Sequence, residues 1–216
     1  MKENKKSKAI SLKYLGYDFI RVSASPGLLF FRPKKIYLTE KAKKEQPKEG
    51  VLYISNHISL FDPMYLMLGI WKRRHHFVAM QDLFKGKFKH WLFTKIFLCI
   101  KIDRDNFSFS TLNEIANHLK AGEAVTMFPE GHVNVNKEGT NAFKSGMIVM
   151  ALRSGCPIVH VYIKRRPHWY SRLVLAVGEP ININDFCKDR KPNVEDVKNA
   201  TIYLQEQEEK LEALCK

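Results

Sequence analysis

Short apolar runs alternate with helix-like segments along most of this sequence, and that alternation limits the possible folds more than any other feature. Several of the runs are too continuously apolar to leave one face for solvent, which is typical of strands buried on both faces of a parallel sheet. Helical patterns between such runs supply the crossovers that parallel strands need. The sequence therefore predicts an α/β domain, in which a mainly parallel mixed sheet is flanked by helices.

The predicted strands share apolar and β-branched residues, and they are Val51–Ser55, Phe77–Met80, Cys99–Asp103, Ala124–Phe128, Pro157–Ile163 and Leu173–Val177. The predicted helices share apolar side chains at helical spacing, and they lie near Pro63–Trp71, Lys87–Phe97, Ser110–Lys120, Phe143–Arg153 and Asn193–Leu214. Gly122 and Gly155 are expected to end two of these helices. The Lys/Glu-rich stretch from Glu40 to Glu49 is predicted to be a solvated loop.

The start of the chain differs from the rest. Between Ile10 and Phe31, aromatic and aliphatic residues are mixed with Lys13 and Arg21, so residues 1–35 are interpreted as a basic amphipathic segment that associates with a membrane. The alternative is a helix that packs against the sheet of its own domain, residues 36–216. No stretch approaches 18 uninterrupted apolar residues, and no cleavable signal peptide is recognisable, so a simple transmembrane helix is not expected.

Positive charge is concentrated in the first half of the chain. Residues 1–104 carry 22 Lys and Arg against 8 Asp and Glu, whereas residues 105–216 carry 14 of each, so the formal charge of +14 lies wholly in the first part. Such a surface suits nucleic acid, an anionic phospholipid surface or an acidic carrier. A nucleic-acid-binding module without catalysis remains an alternative, although no helix-turn-helix, RNP-like or zinc-finger pattern supports it.

Polar residues follow two of the predicted strands, where open α/β sheets place their ligands. His57 and Asp62 lie in the turn between a strand and a helix that starts near Pro63, with Asp62 expected as its N-cap. A carboxylate that binds one ring nitrogen leaves the other nitrogen as a general base, so one interpretation is that His57 and Asp62 form a catalytic pair. The other interpretation is that Asp62 only caps the helix and His57 is an ordinary loop residue. Glu130, between Pro129 and Gly131, could accept hydrogen bonds from a hydroxylated substrate or be a solvated loop acid.

Basic residues follow a third strand. Arg104 could bind a phosphate bidentately with Lys101 beside it, or it could pair with a neighbouring aspartate on the surface. No metal-ligand spacing links His75-His76 with His57 and His132. The four cysteines are widely spaced, as expected of reduced thiols in a cytosolic protein. No metal site is therefore predicted.

Taken together, these residues resemble the PlsC-like glycerolipid acyltransferases. Asn56-His57-Ile58-Ser59-Leu60-Phe61-Asp62 is similar to the family's HxxxxD box, and Phe128-Pro129-Glu130-Gly131 is similar to its FPEG box. Ile102-Asp103-Arg104 and Pro157-Ile158-Val159 resemble its Arg-bearing and fourth blocks. The order and spacing of the boxes agree, and the resemblance covers roughly residues 36–180.

The resemblance implies transfer of a fatty acyl group from acyl-CoA or an acyl-carrier protein to the hydroxyl of 1-acyl-glycerol-3-phosphate or a related lysophospholipid, in phospholipid biosynthesis. His57 would be the general base, oriented by Asp62. Lys101 and Arg104 would hold the acceptor phosphate, and Glu130 and Gly131 would shape the acceptor site. Backbone amides of the His57 loop are candidate oxyanion donors. No cofactor or metal is implied, and the enzyme would work peripherally on the cytoplasmic face of a membrane.

Two positions depart from the family pattern. FPEG is followed here by His132-Val133-Asn134, where the family commonly has Thr-Arg-Ser, so a hydroxyl and a guanidinium are missing. His160 stands at the second proline of the fourth block. Phosphate recognition is therefore expected to depend on Arg104, Lys101 or Lys144, with His132 as a further candidate. A lipid acceptor without glycerophosphate remains an alternative.

Overall fold

The structure, a computed structural model, describes residues 14–103, 109–134, 142–165, 170–187 and 191–216. Its helices, which flank the sheet, are α1 (Leu15–Ser23), α2 (Pro26–Phe31), α3 (Glu40–Lys44), α4 (Asp62–Gly69), α5 (Lys87–Trp91, continued by a π turn over Leu92–Ile96), α6 (Phe109–Lys120), α7 (Gly146–Ser154) and α8 (Val194–Leu214). Its strands are β1 (Lys34–Tyr37), β2 (Val51–Ser55), β3 (His75–Met80), β4 (Ile100–Ile102), β5 (Ala124–Met127), β6 (Ile158–Ile163) and β7 (Val174–Ile181). Short 3₁₀ turns follow β3 and β7.

The strands form one sheet in the order β1-β7-β6-β2-β5-β3-β4. Strands β6, β2, β5, β3 and β4 are parallel, and β7 runs antiparallel to β6. The predicted α/β class with a mainly parallel mixed sheet is confirmed. The central strand β2 is buried along its whole length, as its unbroken apolar sequence predicts. The carboxyl ends of β2 and β5 therefore lie side by side, which positions the loops that follow them.

The core lies on both faces of this sheet. On one face, Leu52, Ile54 and Val125 pack against α6, α7 and α8. On the other face, Val51, Tyr53 and Val159 pack with Leu66 from α4. Strand β2 thus contributes alternate side chains to each face, and the polar residues Asn56, His57 and Asp62 come after its last residue.

The Lys/Glu-rich stretch is not a simple loop, and that prediction was wrong. Residues Glu40–Lys44 form α3, because Thr39 caps the helix by accepting from the Ala42 amide at 3.0 Å and Ala42 itself is fully buried. Strand β1 was not predicted either, because its two lysines face solvent at the sheet edge. Gly122 and Gly155 end α6 and α7 with positive φ, as predicted.

The described part of the N-terminal segment packs on its own domain and leaves part of its apolar surface exposed. Tyr17 of α1 is buried with Met67 and Leu98, and its hydroxyl accepts a hydrogen bond from the His75 amide at 3.1 Å. The opposite side of the segment leaves large apolar side chains in solvent, among them Phe19 at 70% and Leu29 at 82% exposure. The segment therefore packs on its own domain and also presents an apolar surface. In the described parts of the chain, no helix is long and apolar enough to cross a membrane.

Candidate active site

The loop after β2 is anchored by the side chain of Asn56. Its amide donates to the carbonyl of Ile163 at 3.0 Å and accepts from the amide of Ile163 at 2.7 Å. Both groups are buried, so this side chain continues the pairing of β2 with β6 for one residue beyond the strand. The next residue, His57, consequently leaves the sheet from a fixed point.

His57 and Asp62 form a close pair. Nδ1 of His57 lies 2.8 Å from Oδ2 of Asp62, whose side chain is fully buried, while the histidine side chain keeps 16% exposure. The ring stacks on Phe128 at 4.0 Å between centroids with a 17° interplanar angle. A carboxylate on Nδ1 sets the tautomer and leaves Nε2 as the nitrogen that can exchange a proton with a substrate.

Asp62 is not the N-cap of α4. It is the first residue of the helix, and its carboxylate points back into the loop that precedes it. Oδ2 accepts from the amide of Ile58 at 2.7 Å and from the amide of Ser59 at 2.8 Å, in addition to His57. Three donors therefore converge on one oxygen, which fixes the loop and the imidazole together.

The amide of His57 has a carboxylate partner as well. It donates to Oε1 of Glu130 at 3.0 Å, and Glu130 is only 2% exposed. Glu130 thus holds the backbone of His57. The sequence had suggested a different role for Glu130, in which it accepts hydrogen bonds from the hydroxyls of a substrate. The amides of His57, Ile58 and Ser59 all donate to carboxylates. In this arrangement these three amides do not point at a substrate oxygen, so they do not form the oxyanion site that the sequence suggested.

The turn after β5 joins the same cluster. Gly131 has φ 76°, a conformation that favours glycine, and its amide closes the turn by donating to the carbonyl of Phe128 at 3.0 Å. Beyond the turn, the amide of Asn134 donates to the carbonyl of His57 at 2.6 Å. The FPEG turn and the His57 loop are therefore held together by hydrogen bonds in both directions.

The predicted basic residues are placed unequally. Lys144 is exposed, and its amide donates to the carbonyl of Pro129 at 3.1 Å, so it adjoins the FPEG turn. His132 is exposed between that turn and Asn134. Lys101 is exposed on β4, three strands away from β2, or about 14 Å at ordinary strand spacing. Arg104 lies outside the described residues.

Sequence reasoning missed Arg165. It follows β6, the strand beside β2, and its guanidinium donates to the carbonyl of Asn134 at 3.2 Å, although the side chain is largely exposed. Asn134 in turn bonds to His57. A guanidinium therefore lies against the segment that follows FPEG, where the family's own arginine is absent. The rule applied to Arg104, a basic residue at a strand end, would have found it.

Cysteine chemistry does not compete with the histidine. Burial raises the pKa of the Cys99 thiol to about 12, and burial also raises the pKa of Cys215. Both thiols stay protonated near neutral pH, so neither is an activated nucleophile. His75 is fully buried with Nδ1 2.8 Å from Thr126 Oγ1, and burial lowers its pKa to about 3. His75 is therefore a neutral core residue.

Comparisons with known proteins identify the family of this chain. The family model for acyltransferases matches residues 35–164. A probable 1-acyl-sn-glycerol-3-phosphate acyltransferase from Mycoplasma pneumoniae is 30% identical over 143 residues, which cover 62% of this chain and 52% of that protein. The 1-acyl-sn-glycerol-3-phosphate acyltransferase of Bacillus subtilis is 26% identical over 191 residues, which cover 83% of this chain and 90% of that protein. The chain thus spans about half the length of the first relative and most of the second.

The fold has a solved counterpart. The crystal structure of the 1-acyl-sn-glycerophosphate (LPA) acyltransferase PlsC from Thermotoga maritima aligns with a TM-score of 0.63 and 19% identity, over 92% of this chain and 79% of that one. At this identity the likeness concerns the fold. Both sequence boxes lie within the matched family region, and the structure brings them into contact through Glu130 and Asn134. The chain therefore belongs to the acyltransferase family, as a PlsC-like member.

Proposed function

We propose that this chain transfers a fatty acyl group from an acyl thioester to the hydroxyl of 1-acyl-glycerol-3-phosphate or a related lysophospholipid. The observation that carries the proposal is the contact between His57 and Asp62, in which a fully buried carboxylate lies 2.8 Å from Nδ1 of a partly exposed imidazole. Two relatives named as 1-acyl-sn-glycerol-3-phosphate acyltransferases support the acceptor class. The donor would be acyl-CoA or an acyl-carrier protein.

In the proposed mechanism, Nε2 of His57 takes the proton of the acceptor hydroxyl. The hydroxyl oxygen attacks the thioester carbon at the same time. An ester C–O bond forms, the C–S bond breaks, and the proton passes from His57 to the leaving thiolate. Asp62 stabilises the imidazolium between these two transfers, and Glu130 keeps the backbone of His57 in place.

Phosphate binding is assigned to Arg165, with Lys144 and His132 beside the same turn. Lys101 lies on β4, four strands from β6, so Lys101 and Arg104 are the alternative to Arg165 and would not bind the same phosphate with it. Arg165 is the strongest of the described candidates, because its guanidinium reaches the carbonyl of Asn134, which is hydrogen-bonded to His57. A guanidinium is a planar fork of five N–H donors, a shape that suits bidentate binding of a phosphate. An arginine in this position would replace the guanidinium that the segment after FPEG lacks.

Arg165→Gln is expected to raise KM for lysophosphatidic acid at least about 10-fold while changing kcat little, because it removes a charge-assisted hydrogen bond to the phosphate. Initial rates with this acceptor and with an uncharged monoacylglycerol would measure the effect. Arg153→Gln is the matched control, since Arg153 lies in the last turn of α7 and donates to Asn113. An unchanged KM in Arg165→Gln would contradict this assignment and leave the acyl transfer proposal intact.

We also propose that the exposed apolar surface of α1, α2 and the His57 loop lies on an anionic membrane. Its members share high solvent exposure, and they are Leu15, Phe19, Val22, Leu29, Phe30, Leu60 and Phe61. Phe31 and Phe61 both contact the ring of Tyr65, which joins α2 to the loop that carries His57. The basic side chains of residues 1–104 would be attracted to anionic head groups. The enzyme would then bind peripherally to the membrane surface.

The double variant Phe19→Asp with Leu29→Asp is expected to bind vesicles containing anionic phospholipid at least about 10-fold more weakly, because two large apolar contacts with lipid are lost. Vesicle flotation measures the bound fraction. Phe109→Asp is the control, since Phe109 on α6 is similarly exposed at 71% but lies outside this surface. Equal flotation of the double variant and the native chain would contradict membrane binding by this surface.

A further inference from the structure

Three potential metal ligands meet at the end of the sheet that faces away from His57. His76 lies near the start of β3, Glu123 directly precedes β5, and His118 lies in the last turn of α6. Strands β3 and β5 are parallel to β2, and His57 follows the other end of β2. The group is therefore separate from the candidate active site. His76 and His57 therefore cannot bind the same metal ion, because they lie at opposite ends of the sheet.

The local fold brings the ligands together. Gly122 ends α6 with φ 83°, and the amide of Glu123 then donates to the carbonyl of His118 at 3.1 Å. This turn places the glutamate side chain against the imidazole of His118, so that Nδ1 of His118 contacts Oε2 of Glu123. On the neighbouring strand, Nε2 of His76 lies 3.4 Å from the same oxygen.

These distances suit a small ion. The three ligand atoms lie within 4.8 Å of one another. Ligands of tetrahedral zinc, bound at about 2.0–2.1 Å, are separated by about 3.4 Å, so small side-chain rotations would bring all three to one centre. His76 is 3% exposed, whereas the side chains of His118 and Glu123 keep 24% and 18% exposure. An open cavity of about 540 Å³, lined by His118 and Glu123, would admit the ion and a water as fourth ligand.

Outer hydrogen bonds orient the carboxylate of Glu123, while the guanidinium of Arg73 donates nearby to the carbonyl of Gly122 at 3.3 Å. The hydroxyl of Tyr14 donates to Oε1 of Glu123, which leaves Oε2 directed at the histidines, as outer hydrogen bonds commonly orient a ligating carboxylate. Arg74 lies over the ring of Tyr14 at 4.9 Å, but it also pairs with Asp18 through contacts of 2.7 and 3.0 Å. That pairing lowers the pKa of the Asp18 carboxyl, so the charge of Arg74 is compensated.

We propose that His76, His118 and Glu123 bind a Zn²⁺-class divalent ion with a water as fourth ligand, so that the ion joins β3, the start of β5 and α6. Two imidazole nitrogens and one carboxylate favour zinc and similar transition metals over Mg²⁺ and Ca²⁺, which prefer oxygen ligands. The sequence does not reveal the site, because its ligands come from three elements that are distant along the chain. The proposal is independent of the acyl transfer reaction.

Titration of the metal-free full chain with Zn²⁺, followed by calorimetry, tests the site. The native chain is expected to bind one equivalent with micromolar or tighter affinity, and Zn²⁺ is expected to raise its Tm. His118→Ala should weaken that binding at least about 100-fold and abolish the rise in Tm. The matched control is His90→Ala, which removes an exposed histidine of α5 and should bind zinc as the native chain does.

Two further measurements keep the test decisive. Glu123→Gln has nearly the same shape and should also lose the site, so it replaces His118→Ala if that variant does not fold. Co²⁺ bound to the native chain should show no thiolate charge-transfer band, which distinguishes this site from cysteine binding. The proposal is overturned if the native chain binds no zinc, or if Glu123→Gln and His118→Ala bind it as tightly as the native chain.

Discussion

His57→Ala is expected to lower kcat for acyl transfer by about 10³-fold without unfolding the chain. General base catalysis by a positioned side chain contributes about 10²–10⁴-fold, and the alanine variant retains no group that could take the hydroxyl proton. The chain should stay folded, because Asp62 keeps the amides of Ile58 and Ser59 as donors when the partly exposed imidazole is removed. The measurement is the rate of thiol release from acyl-CoA in the presence of a lysophospholipid.

The control for this experiment is His90→Ala, which should leave the rate unchanged because His90 lies on the exposed α5. Vesicle binding of His57→Ala should also equal that of the native chain, since the exposed apolar surface is intact. A folded His57→Ala protein that retains more than about a tenth of the native kcat would contradict the role of His57.

Asp62→Asn is expected to lower kcat by about 10²-fold or more, and Asp62→Ala is expected to lower the free energy of unfolding by at least about 3 kcal/mol. The asparagine removes the charge that stabilises the imidazolium, although its oxygen can still accept from the loop amides. The alanine leaves the amides of Ile58 and Ser59 and the imidazole without their common acceptor. Steady-state rates and urea unfolding measure the two effects.

The matched control is Asp82→Asn and Asp82→Ala. Asp82 pairs with Lys85 at 2.8 Å, but both side chains are mostly exposed, so each substitution should change stability by less than about 1 kcal/mol and leave kcat unchanged. If Asp62→Ala were as stable as Asp82→Ala, the convergence of three donors on Asp62 would not be holding the loop. If Asp62→Asn kept full activity, Asp62 would have no role in charge stabilisation.

The sequence predicts the centre of the fold better than its edge. Strand β2 was predicted with its observed bounds, because a strand buried on both faces must be apolar throughout. Strand β1 pairs only with β7 at the edge, so its residues need not be apolar. Helix α3 is concealed by its lysines, and only Thr39 as cap and the buried Ala42 indicate it. Edge elements depend on tertiary contacts that a local pattern does not contain.

In the candidate site, contacts within one turn could be predicted from the sequence, whereas contacts between strands could not. The pairing of His57 with Asp62 could be predicted, because both belong to one turn. The partner of Glu130 could not, since a hydrogen bond to a backbone amide leaves no complementary side chain in the sequence. Arg165 could be recognised as a basic residue at a strand end, but only the strand order puts it beside the His57 loop, because β6 lies beside β2. The grouping of His76, His118 and Glu123 likewise requires the pairing of β5 with β3. Residues that act together across strands emerge only once that order is known.

Acyl transfer to a lysophospholipid is tested most directly by mass spectrometry of the lipids formed when the purified chain is incubated with a panel of lysolipids and either acyl-CoA or acyl-carrier protein. We expect a diacyl glycerophospholipid formed in equal amount to the released thiol, and none with His57→Ala. Hydrolysis of the thioester to free fatty acid with no new ester on any acceptor would contradict it.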